Sequence, residues 1–142
     1  FEYSHLDKCI AIMGANMLSL VRLDNLWILI LFILFTAFIN LIMVSSTSKW
    51  AFMSFIFIPV LTGMGVSPDM TQCAYRIGDS ATNAITPFMF YMPLALTYMQ
   101  QYDRQSTYGS LLKYTWRYSL VILVAWTALF VLWYVCKLPL GL

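Results

Sequence analysis

Charged side chains are scarce in this chain of 142 residues, which has eight Lys and Arg and six Asp and Glu. Charged residues make up 10% of the chain, against about 25% in soluble domains, and hydrophobic residues make up 61%. The net charge of +2 is small, and the aromatic residues lie in apolar runs without interleaved basic ones, which argues against nucleic acid as a partner. The composition predicts an integral membrane protein in contact with the lipid bilayer.

Histidine and cysteine are also few. The only histidine is His5, and the three cysteines lie far apart without a CxxC pair: Cys9, Cys73 and Cys136. We expect buried, inert thiols and no cofactor. With one histidine in the polar opening segment, a histidine-based catalytic site is not expected. An intramembrane aspartyl protease needs two facing aspartates, and Asp103, the candidate partner of Asp79, lies in a basic segment. An enzyme is therefore not expected.

Residues 1–25 are too polar for a standard transmembrane helix, although Leu6, Ile10 and Met13 begin one apolar helical stripe. We interpret them as an amphipathic interfacial segment or the end of a preceding helix. Because the sequence opens at Phe1 without a basic signal-peptide region, we expect it to be part of a longer protein.

Residues 26–66 contain two apolar runs around the polar stretch Ser45–Trp50. They predict either two full transmembrane helices, with Lys49 in water at the membrane surface, or a re-entrant hairpin whose tip stops inside the membrane. The short second run and Pro59 within it favour the hairpin.

A polar octet, Arg76–Asn83, interrupts the apolar stretch of residues 67–101. We expect a helix that starts near Pro68, breaks at the octet and resumes past Pro87 as a discontinuous transmembrane helix. Inserting a charge at such a depth costs about 2.5–3.5 kcal/mol, so the octet is a candidate functional site.

Residues 102–117 carry Arg104, Lys113 and Arg117 and predict a cytoplasmic basic loop. Residues 118–142 predict the last transmembrane helix and its tail. The expected fold class is an all-α integral membrane protein with a re-entrant helical hairpin, a discontinuous helix and a final helix.

Both polar interruptions offer groups for ions and anions, as the unwound half-helices of transporters do. The guanidinium of Arg76 suits a carboxylate, and Asp79 could bind Na⁺ or carry a proton. A structural Arg76–Asp79 salt bridge, three residues apart, is the alternative. The oxygens suited to Na⁺ belong to Asn40, Ser45, Thr47, Asp79, Ser80, Thr82 and Asn83.

Several motifs occur in a distinctive order: Phe38-Ile39-Asn40-Leu41, Lys49-Trp50-Ala51, Ala74-Tyr75-Arg76-Ile77-Gly78-Asp79-Ser80, Thr82-Asn83, Thr86-Pro87, Gln101-Tyr102-Asp103 and Leu138-Pro139-Leu140-Gly141. They closely resemble the C-terminal third of the aminobenzoyl-glutamate transporter (AbgT) family. At the hairpin tip, Thr47 stands where the family usually has a serine.

The resemblance implies a homodimeric transporter of the bacterial inner membrane, built from two inverted repeats of which this chain supplies one. It implies import of p-aminobenzoyl-glutamate coupled to Na⁺ or protons, or efflux of sulfonamide-type antimetabolites. A structural membrane subunit or an inactive fragment is the alternative from another class. The family's functional positions correspond to Asn40, Trp50, Pro68, Arg76, Asp79 and Pro87.

We expect Arg76 to receive a substrate carboxylate and Trp50 to stack on an aromatic ring. The full set expected to bind substrate is Trp50, Arg76, Pro68, Pro87 and Asn83. The set expected to serve ion or proton coupling is Asn40, Ser45, Thr47, Asp79, Ser80 and Thr82, with Na⁺ at Asn40 and Asp79. The direction of transport and the coupling ion stay open.

Overall fold

The computed structural model describes residues 12, 13 and 24–139, and residues 24–139 form helices and turns without a β-strand. The helices are α1 (Asn25–Asn40), α2 (Ser46–Gly63), α3 (Pro68–Thr82), α4 (Met92–Tyr102) and α5 (Tyr108–Val135), with a 3₁₀ turn at Asn83–Ile85. The interfacial segment predicted for residues 1–25 lies almost wholly outside the described residues, as do His5 and Cys9.

Helices α1 and α2 form a helical hairpin joined by residues 41–45. The ring of Phe57 on α2 lies 4.9 Å from that of Phe32 and 5.5 Å from that of Phe35, both on α1. Ser45 begins α2 because its hydroxyl accepts a hydrogen bond from the Ser48 amide. Helix α2 continues through Pro59, which the sequence had suggested as an interruption. The hairpin is present, and its re-entry into the membrane stays a prediction.

Helix α3 begins as expected, with Ser67 as its cap and Pro68 in its first turn. Gly65, with φ of 85°, makes the preceding turn in a conformation that favours glycine. The predicted break inside the octet is wrong, because α3 runs on to Thr82 and the irregular backbone follows at residues 83–91. Small polar residues are compatible with the helix here, and the hydroxyls of Ser80 and Thr82 bond to the carbonyls one turn earlier, those of Arg76 and Gly78.

The discontinuity lies between α3 and α4 and contains Pro87. The Tyr91 hydroxyl donates to the Asn83 carbonyl at 2.8 Å, and this bond joins the two ends of the irregular segment. Pro93 does not interrupt a helix, because it lies in the first turn of α4, where its missing N–H costs no helical bond.

Helices α1 and α3 cross at very close range at Gly78. A Cβ built on Gly78 would lie 2.5 Å from the Ile33 carbonyl oxygen and 2.9 Å from Thr36 Cβ. Only glycine allows this approach, as at the small-residue interfaces of membrane helices. The close contact sets Asn40, at the end of α1, against the end of α3.

Helix α5 packs along α3, and Ser119 donates a hydrogen bond to the Ala81 carbonyl. It is the helix among the described residues that is long and apolar enough to cross a membrane. The predicted boundary at residue 118 is wrong, because α5 begins at Tyr108 and includes Lys113 and Arg117. Both side chains are exposed, and lysine and arginine are good helix formers, so their charge does not end the helix.

The prediction of buried thiols is wrong for Cys136, which is exposed just after α5. Cys73, on α3, is half-buried.

Candidate functional site

The tip of the hairpin meets the C-terminal half of α3 around Asp79, which is 6% exposed. The Ser46 hydroxyl donates to Asp79 Oδ2 at 2.6 Å. The Tyr75 hydroxyl, one turn before Asp79, donates to the Ser46 carbonyl at 2.8 Å. These two bonds tie the first residue of α2 to α3 and orient the carboxylate.

The ion pair of Asp79 is with Lys49 on α2, whose side chain is fully buried. Asp79 Oδ1 has this ammonium as its partner and makes no hydrogen bond besides. The structure therefore does not form the Arg76–Asp79 salt bridge considered from the sequence. Lys49, near the tip of the hairpin, neutralises the Asp79 carboxylate on α3 instead. This differs from the interpretation that places Lys49 in water at the membrane surface.

Asn40 is fully buried at the end of α1 and connects Lys49 to α3. Its Oδ1 accepts from Lys49 Nζ, so its Nδ2 faces α3, where it lies 2.8 Å from the Asp79 carbonyl oxygen and 2.9 Å from Thr82 Oγ1. Asn83 Oδ1, also at 2.9 Å, is a third acceptor for the two amide hydrogens. One amide thus joins both polar stretches that the sequence singles out.

Thr86 completes the end of α1. Its hydroxyl lies 2.9 Å from the Thr82 carbonyl oxygen and 3.2 Å from that of Asn40. A carbonyl at a helix C-terminus has no partner within its own helix, and Thr86 supplies one from the irregular segment. The broken part of the chain is thereby fastened to the hairpin.

A cleft of about 300 Å³ opens beside this network and gives Asp79 its small exposure. The Trp50 ring forms part of its wall and lies 4.6 Å from the Tyr75 ring. The exposed Arg76 brings a cation to the same cleft. Its lining residues are Ser46, Thr47, Trp50, Gln72, Tyr75, Arg76 and Asp79.

The structure brings together most, but not all, of the residues predicted from the sequence. Trp50 and Arg76 line the cleft, whereas Asn83 lies behind it against Asn40. Pro68 is at the far end of α3, about 16 Å along the helix from Asp79. Pro87 is exposed in the irregular segment and does not line the cleft.

The residues predicted to serve coupling also divide. Asn40, Asp79 and Thr82 belong to the buried network, and Thr47 lines the cleft. Ser45 caps α2, and Ser80 donates a hydrogen bond to the Arg76 carbonyl. Both hydroxyls are therefore engaged in hydrogen bonds with residues three or four positions away in the chain.

Three residues at the site were quoted in the sequence but given no role: Ser46, Lys49 and Tyr75. Charge balance could have found Lys49, because it is the only cation of the hairpin and Asp79 needs a counter-charge if buried. Helical spacing could have found Tyr75, since it precedes Asp79 by four residues and so shares its face.

Known proteins are similar to this chain in sequence and in structure. The family model described as the AbgT putative transporter family matches residues 1–142. The p-aminobenzoyl-glutamate transport protein of Escherichia coli K12 is 27% identical over 141 residues, which cover 99% of this chain and 28% of the relative.

Two solved structures are similar to the fold. The crystal structure of the Alcanivorax borkumensis YdaH transporter has a TM-score of 0.95 and 39% identity, over 100% of this chain and 30% of that one. The Neisseria gonorrhoeae MtrF structure, described as illuminating a class of antimetabolite efflux pumps, has a TM-score of 0.86 and 41% identity, over 94% of this chain and 26% of that one. The chain thus spans less than a third of the length of these relatives.

Proposed function

Since the chain belongs to the AbgT putative transporter family, whose members are membrane transporters, we propose that the full-length protein carries p-aminobenzoyl-glutamate across the bacterial inner membrane. Transport is coupled to Na⁺ or protons through Asp79. The similarity to a protein named for p-aminobenzoyl-glutamate transport supports the substrate class.

One observation carries the proposal: a buried, ion-paired carboxylate meets an open cleft at the contact between the hairpin tip and α3. Asp79 presents Oδ1 to the buried Lys49 and Oδ2 to Ser46, which lines the cleft. Ionisable groups buried in membrane proteins are costly and mark ion or substrate paths. A carboxylate at this contact can link the state of the cleft to the position of the hairpin.

The chemistry of the cleft suits an aromatic amide that carries carboxylates. The planar guanidinium of Arg76 matches a carboxylate in a bidentate geometry. The Trp50 ring lines the cleft and offers an aromatic surface to a substrate ring, and it also packs against the Tyr75 ring at a tilt of 46°. We therefore assign the glutamate end of the substrate to Arg76 and its benzoyl ring to Trp50.

The hairpin in this proposal is re-entrant, with its tip inside the membrane. Helix α1 has 16 residues, short for a span of about 20, and its last residue is buried in the polar network. Irregular backbone at membrane depth is tolerated where it is buried in protein or lines a cavity, as residues 41–45 and 83–91 would be. The sequence resemblance supports a homodimer, which the mass of the protein in detergent would check.

Uptake of labelled p-aminobenzoyl-glutamate into proteoliposomes tests the proposal. Asp79→Asn removes the carboxylate charge and leaves Lys49 without a counter-ion, so uptake should fall to background. Asp69→Asn is the matched control, because Asp69 is an exposed aspartate in the first turn of the same helix. Uptake by Asp79→Asn at the wild-type rate would exclude Asp79 from coupling.

Efflux of sulfonamide-type antimetabolites is the second candidate function. It is favoured by the 41% identity to the MtrF structure, which is higher than the identity to the p-aminobenzoyl-glutamate transport protein. An aromatic wall with a nearby guanidinium would also accept such compounds. Expression of the full-length protein in sensitive cells should then raise sulfonamide tolerance. A structural subunit would change neither tolerance nor uptake.

A further inference from the structure

Lys49 stands out as a fully buried amine at the meeting point of three helices. Its ammonium contacts Asn40 Oδ1 and Asp79 Oδ1, one amide oxygen and one carboxylate oxygen. Buried lysines are rare, and burying an ammonium without such partners is strongly unfavourable. The network around it is therefore built to hold a positive charge.

The C-terminal ends of two neighbouring helices create the same preference. Helices α1 and α3 both end at this point, at Asn40 and Thr82, so the partial negative charges of two C-terminal ends converge. Neither helix carries a basic residue in its last turn. The compensating cation comes from Lys49, in the second turn of a third helix, α2.

The oxygens that hold the ammonium are also of the type that binds small cations. Hard cations take carboxylate and amide oxygens as ligands, and the partner of Asp79 Oδ1 is the Lys49 ammonium that such a cation would replace. A sodium ion bound to Asn40 Oδ1 and Asp79 Oδ1 would occupy the same space as Lys49 Nζ. Two positive charges cannot share that space, because their repulsion is strong where water is excluded.

The Lys49 side chain also has a path toward the cleft. It is buried, yet its neighbours Thr47 and Ser48 are exposed, and the cleft lined by Thr47 and Ser46 begins next to it. The four-carbon stem of lysine is flexible, so the ammonium can move toward the cleft without unfolding α2.

From these contacts we propose that Lys49 is a tethered counter-cation that alternates with Na⁺ at Asn40 and Asp79. With Na⁺ absent, Lys49 neutralises Asp79 and holds the hairpin tip against α3. With Na⁺ bound, Lys49 is displaced toward the cleft, where its charge is available to an anionic substrate. The inference rests on the proposed transport function and assigns Na⁺ as the ion that competes with Lys49.

The first test measures Na⁺ binding to the full-length protein in detergent, as the rise in thermal unfolding temperature with NaCl, with choline chloride as the ionic-strength control. Lys49→Met removes the competing charge and should lower the NaCl concentration for half-maximal effect at least tenfold. Lys113→Met, an exposed lysine on α5, is the matched control and should leave it unchanged. A folded Lys49→Met protein that binds Na⁺ no more tightly than wild type overturns the proposal.

The second test uses the wild-type protein and so does not depend on the folding of a variant. A small amine-acetylating reagent should modify Lys49 in saturating NaCl, and much less in choline chloride, as read by peptide mass spectrometry. Equal protection of Lys49 in both salts overturns the exchange. The exchange is also overturned if the wild-type protein takes up p-aminobenzoyl-glutamate while Na⁺ changes neither its unfolding temperature nor the acetylation of Lys49; the transport function then stands. Absence of uptake by the wild-type protein would instead count against the transport function.

Discussion

The crossing of α1 and α3 at Gly78 gives a sharp prediction, because the structure shows what an added methyl group would meet. A Cβ there lies 2.5 Å from the Ile33 carbonyl oxygen and 3.1 Å from the Ala37 amide nitrogen, both backbone atoms. Real Cβ contacts essentially never fall under 3.0 Å, so one helix has to retreat by about half an ångström. Neither partner is a side chain that could rotate away.

Gly78→Ala should therefore destabilise the protein by about 1–3 kcal/mol, the usual cost of overpacking a close-packed core. The effect on transport should be larger than the loss of stability implies. Asn40 reaches α3 at distances of 2.8 and 2.9 Å, and a separation of about half an ångström would stretch these bonds beyond the usual range of about 2.7–3.2 Å. Thermal unfolding and substrate uptake, measured on the same preparation, separate the two effects.

Gly63→Ala is the matched control, because a Cβ on Gly63 meets nothing within 4 Å and its φ is not positive. This change should be neutral or stabilise the protein by up to about 1 kcal/mol, since alanine is the better helix former. Wild-type stability and uptake in Gly78→Ala would refute the close-packing argument and with it the view that this crossing positions Asn40.

Two further predictions concern the network around Asp79. Asn40→Ala removes the group that joins Lys49 to α3 and should cost about 2–4 kcal/mol, because buried polar partners are left unpaired; its uptake should be lost, and a protein with wild-type unfolding temperature would contradict this. Tyr75→Phe keeps the ring contact with Trp50 but loses the bond to Ser46, so stability should fall by only about 1 kcal/mol while uptake slows severalfold. Unchanged uptake kinetics in Tyr75→Phe would show that this bond does not govern the hairpin tip.

Much of the fold follows from local sequence signals. Polar stretches between apolar runs predict the hairpin, and Ser67 with Pro68 predicts the start of α3. The predicted position of the helix break is wrong because polarity is not by itself a sign of unwinding. In fact hydroxyl groups such as that of Thr82 bond to the preceding turn and leave the helix intact, so polarity and helix breaking are separate properties.

The sequence predicts several residues of the site, but it does not predict which of them contact one another. The sequence predicts Asn40 and Asp79 because their oxygens suit Na⁺, and in the structure the Asn40 amide donates to the Asp79 backbone carbonyl. Sequence proximity offers Arg76, three residues from Asp79, as a charge partner, and the sequence gives this pair as the alternative to separate roles for the two residues. Helical neighbours often pair in this way, yet a crossing helix can supply a partner from any distance along the chain, as α2 supplies Lys49.

The Lys49–Asp79 pair also bears on how the hairpin is held. Either charge alone would cost about 2.5–3.5 kcal/mol to insert at membrane depth, and the cost falls when the two meet. Because they belong to α2 and α3, only the docked hairpin brings them together. Whatever neutralises Asp79 in place of Lys49 removes one of the contacts that hold the hairpin tip at α3, beside the hydrogen bonds of Ser46. Occupancy of Asp79 and the position of the tip are thus linked through this ion pair. A double Lys49→Met, Asp79→Asn variant should be more stable to unfolding than Asp79→Asn, since it leaves no buried charge unpaired.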